Sequence, residues 1–334
     1  MRKGDNMIKL GVIYGGISTE HDVSMMSAKS VIDNLDKEKY EIHEIYINEY
    51  GKWFENDEEI YNLVWKLKEL DVVFPVLHGL GGEDGTIQGM LEMLKVPYVG
   101  CGVLASSVGM DKVYTKIVFE KAGILQAPYM YIKRTEDGYM IINENFEEEE
   151  FGLEKITSKL KFPMFVKPSN SGSSVGVKKA TSDQELKMAI QHAGEYDTKI
   201  LVEQGIDGKE VECAILDGRE VVASTVGEIM SAEDFYSFDA KYNIPESKTV
   251  IPAEITEEQI EEIRKLAVRA FKAIDGKGLS RVDFFVEKDT SKIYINEINT
   301  MPGFTKISMY PKLFEAVGVS YSELLDKLIQ NAMK

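Results

Sequence analysis

Up to about residue 110, strand-like and helix-like segments alternate, and that alternation restricts the chain more than any other feature. Residues 7–14 are a short apolar run ending in Gly15-Gly16. Ala28, Val31, Ile32 and Leu35 then recur at helical spacing, and Thr19 with Asp22 has the spacing of a capping box. Residues 41–48 alternate as a second strand. Residues 71–79 read as a buried strand entering a glycine-rich loop, 85–95 as another helix, and 96–102 as one more short strand. Strand, turn and helix in that order predict a parallel α/β unit.

The character then changes. A helix over 110–124 leads out of the first unit. The acidic stretch 135–150, with Glu147–Glu150, reads as a solvated connection. From residue 162 onward β-rich segments dominate, interrupted by a helix over SDQELKMAIQHAG and an amphipathic one after residue 256. This half is α+β. With 334 residues the chain has room for two or three domains and needs no staples. The two cysteines, Cys101 and Cys213, are too few for a disulfide framework and read as small buried apolar residues. The first residues lack the long apolar core of a signal peptide, and no apolar run reaches a membrane span. These features predict a cytoplasmic protein with reduced thiols. A formal charge of −17 argues against nucleic-acid or anionic-membrane partners.

Three segments carry chemistry. In SRVDFFVEKDTSKIYINEINTMPG (280–303), a hairpin turning about Thr290 makes Asp283 face Glu297 and Arg281 face Asn299. Three hard oxygen donors and one guanidinium would share a sheet face, which suits Mg²⁺. In KFPMFVKPSNSGSSVGVKKA (161–180), Lys167 precedes a loop of small residues whose backbone N–H groups can approach phosphate. It is not a P-loop, and GxGxxG is absent both there and at Gly15-Gly16, which removes a dinucleotide-binding dehydrogenase. The third segment, LVEQGIDGKEVECAIL (201–216), taken alone reads as a strand crossing between units. His78 ends a buried strand where α/β sites gather, whereas His21 reads as structural.

A strand lysine before a Gly/Ser loop, an E-x-G-I hinge and an R-x-D…E-x-N hairpin together resemble the ATP-grasp fold. YGGISTEHDVS (14–24), LHGLGGEDGTIQGMLEML (77–94), VGMDKVYTK (108–116), FYSFDAKYN (235–243) and NTMPGFTKISMYPKL (299–313) resemble the D-alanine–D-alanine ligase family nearly end to end. The resemblance implies a three-domain ATP-grasp fold with an N-terminal parallel α/β (preATP-grasp) domain. Its divisions would be 1–115 for substrate binding, 116–206 for the central subdomain, and 207–334 for the C-terminal subdomain with metal site and lid. It also implies a homodimer, ATP as a substrate, two Mg²⁺ ions that Mn²⁺ can replace, and a role in peptidoglycan precursor synthesis.

Residue by residue, the resemblance implies that Asp283, Glu297 and Asn299 are metal ligands, with Glu297 bridging. Lys112 and Lys167 would meet the ATP phosphates, with Ser173 and Ser174 in the same loop. Glu203, Gln204, Ile206 and Glu210 match the adenosine pocket, with Gln204 standing where relatives often carry lysine. Glu20 matches the carboxylate for the first substrate's ammonium, and His78 lies near that substrate. Arg281 and the Gly303 N–H match oxyanion donors. Ser173, Tyr242 and Glu20 match a trio closing a loop over the site, with Lys241 on the transferred phosphate. Ser308 and Met309 match the positions meeting the second substrate.

The implied reaction joins two D-alanines through an acyl phosphate. Rivals within the family make D-Ala-D-Ser or D-Ala-D-lactate. A rival of another class is a non-catalytic nucleotide-binding regulator, which would have no use for an oxyanion donor beside metals. Lys241-Tyr242 favours a peptide over an ester, and an apolar Met309 wall favours alanine over serine. Residues 231–249 are expected to act as the lid. Asp283→Asn or Glu297→Gln is expected to remove most activity while leaving the fold intact.

Overall fold

The computed structural model describes residues 7–230 and 248–334. Among these residues the strands form three sheets. The first holds β1 (Ile8–Gly15), β2 (Tyr40–Ile47), β3 (Trp53–Glu55), β4 (Glu58–Glu59) and β5 (Val72–Pro75) in the order β4-β3-β2-β1-β5. β1 runs parallel to both its neighbours, β2 and β5. It is covered on both faces, which is why its apolar run is nearly continuous. Leu10 and Val12 enter one core, while Ile13 enters another with Ile45 and Leu91. The helices of this half are α1 (His21–Asn34), α2 (Leu63–Lys68), α3 (Thr86–Leu94), α4 (Val103–Met110) and α5 (Lys112–Lys121).

The second sheet is antiparallel throughout. It comprises β6 (Tyr129–Thr135), β7 (Gly138–Ile142), β8 (Glu148–Glu150), β9 (Met164–Pro168), β10 (Lys178–Ala180) and β11 (Lys199–Gln204), in the order β10-β9-β11-β6-β7-β8. Helices α6 (Leu153–Lys159) and α7 (Asp183–Tyr196) pack their apolar faces on it through Ile156, Leu186 and Ile190.

The third sheet comprises β12 (Gly208–Leu216), β13 (Val222–Met230), β14 (Lys248–Val250), β15 (Leu279–Glu287) and β16 (Ile293–Asn299), in the order β14-β13-β12-β15-β16. Helix α8 (Glu257–Ala273) covers one face, started by a complete Thr256/Gln259 capping box. Its Ile263, Ala267 and Phe271 meet Val211, Cys213, Val282 and Phe284. Strand alternation therefore turns Glu210, Glu212, Arg281 and Asp283 to the opposite face. The last helices, α9 (Met309–Glu315) and α10 (Tyr321–Ala332), return to the first sheet. Leu313, Leu324 and Leu328 share a core with Leu10 and Val12, and the Phe304 ring meets Phe74 edge-on at 5.4 Å.

Four expectations need correction. Thr19 and Asp22 do not make a capping box, because α1 starts one residue after Glu20 and Glu20 makes no side-chain cap. Glu20 is instead committed to the cavity described below. Residues 96–102 contribute a single parallel bridge, Val73 to Tyr98, and not a strand. The stretch 135–150 is not a mere connection. It folds as β7 and the edge strand β8, whose exposed glutamates blunt the sheet edge. The helix expected over 110–124 breaks at Asp111, where the extended backbone and the carboxylate cap α5 at Tyr114 N.

Candidate active site

The three sheets enclose a cavity of about 560 Å³. Its walls carry Glu20, His78, Lys112, Lys167, Ser173, Ser174, Glu203, Gln204, Ile206, Glu210, Arg281, Glu297, Asn299 and Gly303. Residues as far apart in the chain as Glu20 and Gly303 thus meet in one space.

The first wall is built on Glu20. It follows β1 and its turn, where Gly15 adopts φ +90 and a side chain would strike the Ile47 carbonyl. Ser173 donates its hydroxyl to the Glu20 carboxylate. Gly172 and Gly79 crowd the same oxygen, since a Cβ at either would lie 2.4 or 2.5 Å from Glu20 Oε2. Ser173, Ser174 and Gly176 all have positive φ, a backbone that turns N–H groups into an anion-binding concavity. His78 is buried, with its ring nitrogens at 3.2 Å from Met301 O and 3.1 Å from Ser27 Oγ. Burial pushes its pKa down, but the adjacent Glu83 and the charge of Glu20 outweigh that and raise it. His21 caps its own turn through Gly16 O at 2.6 Å, as expected of a structural residue.

The second wall carries the lysines. Lys112 Nζ donates to Ser171 O at 2.6 Å, tying α5 to the loop. Lys167 Nζ reaches Glu203 Oε2 at 2.9 Å and Asn296 Oδ1 at 3.4 Å. Lys116 completes the cluster as an ion pair with the other Glu203 oxygen. Burial alone would raise the Glu203 pKa, but the two ammonium groups hold it down at about 2. β11 passes into β12 through Gly205-Ile206-Asp207, so the hinge crosses between the second and third sheets. Gln204 uses its carbonyl oxygen to accept from Lys161 N at 3.0 Å.

The third wall is the hairpin, and its register is the expected one: Arg281 faces Asn299 and Asp283 faces Glu297. Asp283, however, does not line the cavity. It is 2% exposed and lies beneath Arg281, which donates Nε and Nη2 to its two oxygens at 2.7 Å each. Asn299 Nδ2 adds a third bond at 3.0 Å.

Two further expectations do not hold among the described residues. Met309 does not reach the cavity. It is buried in the core against Gly227, where a Cβ would lie 2.2 Å from its Cε. The Ser308 hydroxyl is held by Thr305 instead, accepting from the Thr305 N–H at 3.0 Å and lying 2.8 Å from the Thr305 hydroxyl. Lys241, Tyr242 and residues 231–247 of the expected lid lie outside the described residues.

Four site residues escaped the sequence reading. Lys116 sits one helical turn beyond Lys112, a spacing that places both on one face. Glu83 sits in the GEDG loop beside His78, where a carboxylate next to a site histidine was the available signal. Glu212 shares the strand face of Glu210 and pairs with Asp283 in register, 3.1 Å from Arg281 Nε. Asn296 reaches the cavity because a bulge follows Asp283. The signal was a phase slip in IYINEIN, whose buried apolar positions go from 295 to 298.

Comparison with known proteins agrees with this geometry. The family model for the D-ala D-ala ligase C-terminus matches residues 118–330, and that for the N-terminus matches 9–66 and 62–101. The D-alanine--D-alanine ligase of Acetivibrio thermocellus is 49% identical over 97% of this chain and 95% of its own. The solved VanG D-Ala:D-Ser ligase of Enterococcus faecalis superposes with a TM-score of 0.85 at 35% identity, covering 98% of this chain and all of its own. The D-alanine-D-alanine ligase of Coxiella burnetii gives 0.82 at 33% identity, covering 98% and 94%. The chain therefore belongs to the D-alanine–D-alanine ligase family, ATP-dependent ligases with the ATP-grasp fold.

Proposed function

We propose that this cavity joins two D-alanines into D-alanyl-D-alanine at the expense of ATP, for peptidoglycan precursor synthesis in the cytoplasm, by a homodimer. The observation that carries the reading is the meeting of two lysines, a positive-φ serine loop and Arg281 around one cavity that also holds a buried carboxylate, Glu20. Relatives at 44–49% identity named for D-alanine support the substrate.

On this reading Glu203, Gln204, Ile206 and Glu210 hold the adenosine, and Lys112, Lys167 and the Ser173-Ser174 backbone hold the phosphates. Glu20 orients the first D-alanine through its ammonium, with Ser173 fixing the carboxylate. Phosphoryl transfer to the substrate carboxylate is then a matter of positioning and charge neutralisation. The second amine, unprotonated, attacks the acyl carbon; Arg281 and the Gly303 N–H face the oxyanion, which collapses as the acyl C–O bond breaks, phosphate leaves and the nitrogen loses a proton. An oxyanion donor is worth about 10²–10³ in rate.

The donor set suits Mg²⁺. Glu212, Asp283 and Glu297 lie in register across three adjacent strands around one guanidinium, leaving carboxylate in excess. Glu297 and Asn299 at the cavity wall would hold two ions, joined by Asp283 where Arg281 turns from it to the oxyanion, with Mn²⁺ able to replace them. Among the described residues no group of three His, Cys, Asp or Glu is arranged to hold an ion unaided. Phosphate oxygens and water would complete the shell, as hard cations at nucleotide sites require. Bound there, the ions would neutralise the phosphates.

With Met309 buried, the cavity loses the apolar wall expected to disfavour serine, and a D-Ala:D-Ser ligase is among the structural neighbours. D-Serine as second substrate is accordingly the second reading. The test is phosphate release from ATP with D-alanine, against L-alanine and no amino acid. Products of equimolar D-alanine with D-serine or D-lactate are then weighed by mass spectrometry. A D-Ala-D-Ala peak exceeding both mixed products is expected, and a larger mixed product would overturn the assignment.

A further inference from the structure

Lys116 is a buried cation that the reaction as described does not use. It is 3% exposed, sits on α5 behind the cavity wall, and its Nζ lies 5.3 Å from the Tyr129 ring centroid. Its ion-pair partner, Glu203, is 5% exposed and already paired with Lys167 at 2.9 Å. One buried carboxylate therefore carries two ammonium groups. For neutralising Glu203 alone, the second would be redundant and costly, since a buried ammonium must recover its lost hydration.

The redundancy disappears once Lys167 is asked to move. On the reading above, Lys167 serves the ATP phosphates, yet its Nζ rests on Glu203 and Asn296. Turning toward a phosphate strips Glu203 of that partner, and a stranded buried carboxylate would pull it back. We propose that Lys116 is a positioning residue that keeps Glu203 neutralised in both arrangements, so that Lys167 can leave it for the nucleotide. The three groups carry a net charge of +1 with Lys116 and zero without it. Without Lys116, Lys167 is the sole counter-ion of Glu203 and stays there. The direction of titration agrees: Glu203 stays ionised, Lys167 is raised despite burial, and burial lowers Lys116, the more enclosed of the two ammonium groups.

This inference rests on Lys167 being a phosphate lysine, and the experiment separates the two claims. ADP with Mg²⁺ and, separately, adenosine are titrated calorimetrically into the wild type, Lys167→Met, Lys116→Met, Lys116→Gln and Lys116→Arg. Lys167→Met should weaken ADP, and unchanged ADP binding would end both claims. Lys116→Met and Lys116→Gln should weaken ADP about 10- to 100-fold, the worth of one bond to a charged group, while adenosine changes by less than about threefold. Lys116→Arg should recover most of the loss. ADP binding within twofold of wild type in Lys116→Gln, beside a loss in Lys167→Met, would overturn the proposal alone. Equal losses for ADP and adenosine would also overturn it, because they mark a structural role.

Discussion

Replacing Asp283 by asparagine separates two uses of the hairpin. The sequence suggested that this change would silence the enzyme and spare the fold, but the structure argues otherwise. Asp283 is 2% exposed and takes both prongs of the Arg281 fork at 2.7 Å. Asparagine offers one acceptor and turns an NH₂ donor against the guanidinium. Breaking a buried ion pair costs about 3–5 kcal/mol. Glu212, 3.1 Å from Arg281 Nε, still neutralises the guanidinium and brings the loss down to about 2–3 kcal/mol. The unfolding entropy of 334 residues, at roughly 2.1 cal/mol/K each, gives about 0.7 kcal/mol/K, so the melting temperature should fall about 3–4 °C. Glu297→Gln lies at the cavity wall and should melt closer to wild type while losing as much turnover. Scanning calorimetry and phosphate release, run side by side, make the comparison. An Asp283→Asn protein melting at the wild-type temperature would refute the argument, because the buried fork would then contribute nothing.

Glu203→Gln should cost about 3 kcal/mol near neutral pH, from a carboxylate held at about 2 against 4.5 unfolded. A lowered carboxylate contributes above its unfolded pKa and loses that contribution as pH falls through the folded one. The gap to wild type in urea unfolding should therefore close from pH 4.5 toward 2, and a constant gap would refute it. His78 has a raised pKa, so its imidazole should titrate above 6.5 by NMR. The stability it lends is complete below 6.5 and fades as pH rises through the folded value, and a midpoint below 6.5 would contradict the Glu83 pairing. Ser173→Ala removes the hydroxyl from Glu20 and should raise the KM for D-alanine about tenfold with the ATP KM little changed, whereas equal shifts in both would assign Ser173 to the nucleotide.

Periodicity made much of this legible. Alternation located β15 and β16 and chose the face that buries Val282 and Phe284, and the turn about Thr290 set Arg281 against Asn299 and Asp283 against Glu297. It could not reveal the bulge after Asp283 without attention to the slip from Ile295 to Ile298, and so missed Asn296. Depth was also out of reach. A sequence places Asp283 and Met309 on an element but does not say that Arg281 folds over one or that Gly227 receives the other. The glutamates of β8 misled in the other direction, since an edge strand and a solvated loop share a polar composition. Lys116 was overlooked because lysine on a helix is nearly always at the surface, and only the fold of α5 against β11 encloses it.

These details bear on how a chain of formal charge −17 can hold a nucleotide polyanion. The cations at the cavity are already engaged: Lys112 with Ser171 O, Lys167 with Glu203, Arg281 with Asp283. Binding is then an exchange of partners, and its net strength depends on what becomes of the group each cation leaves. The Ser171 carbonyl is neutral and only part-buried, so its desolvation penalty is small. Asp283 retains the Asn299 amide, and Glu203 retains Lys116. Each of these two buried carboxylates thus keeps a second donor, on a different element from the first. That arrangement lets Lys167 and Arg281 turn to a ligand while Glu203 and Asp283 each keep a donor. It also implies that affinity should respond less to added salt than surface charge pairs would, because the exchanging groups lie inside the protein, where screening is weak.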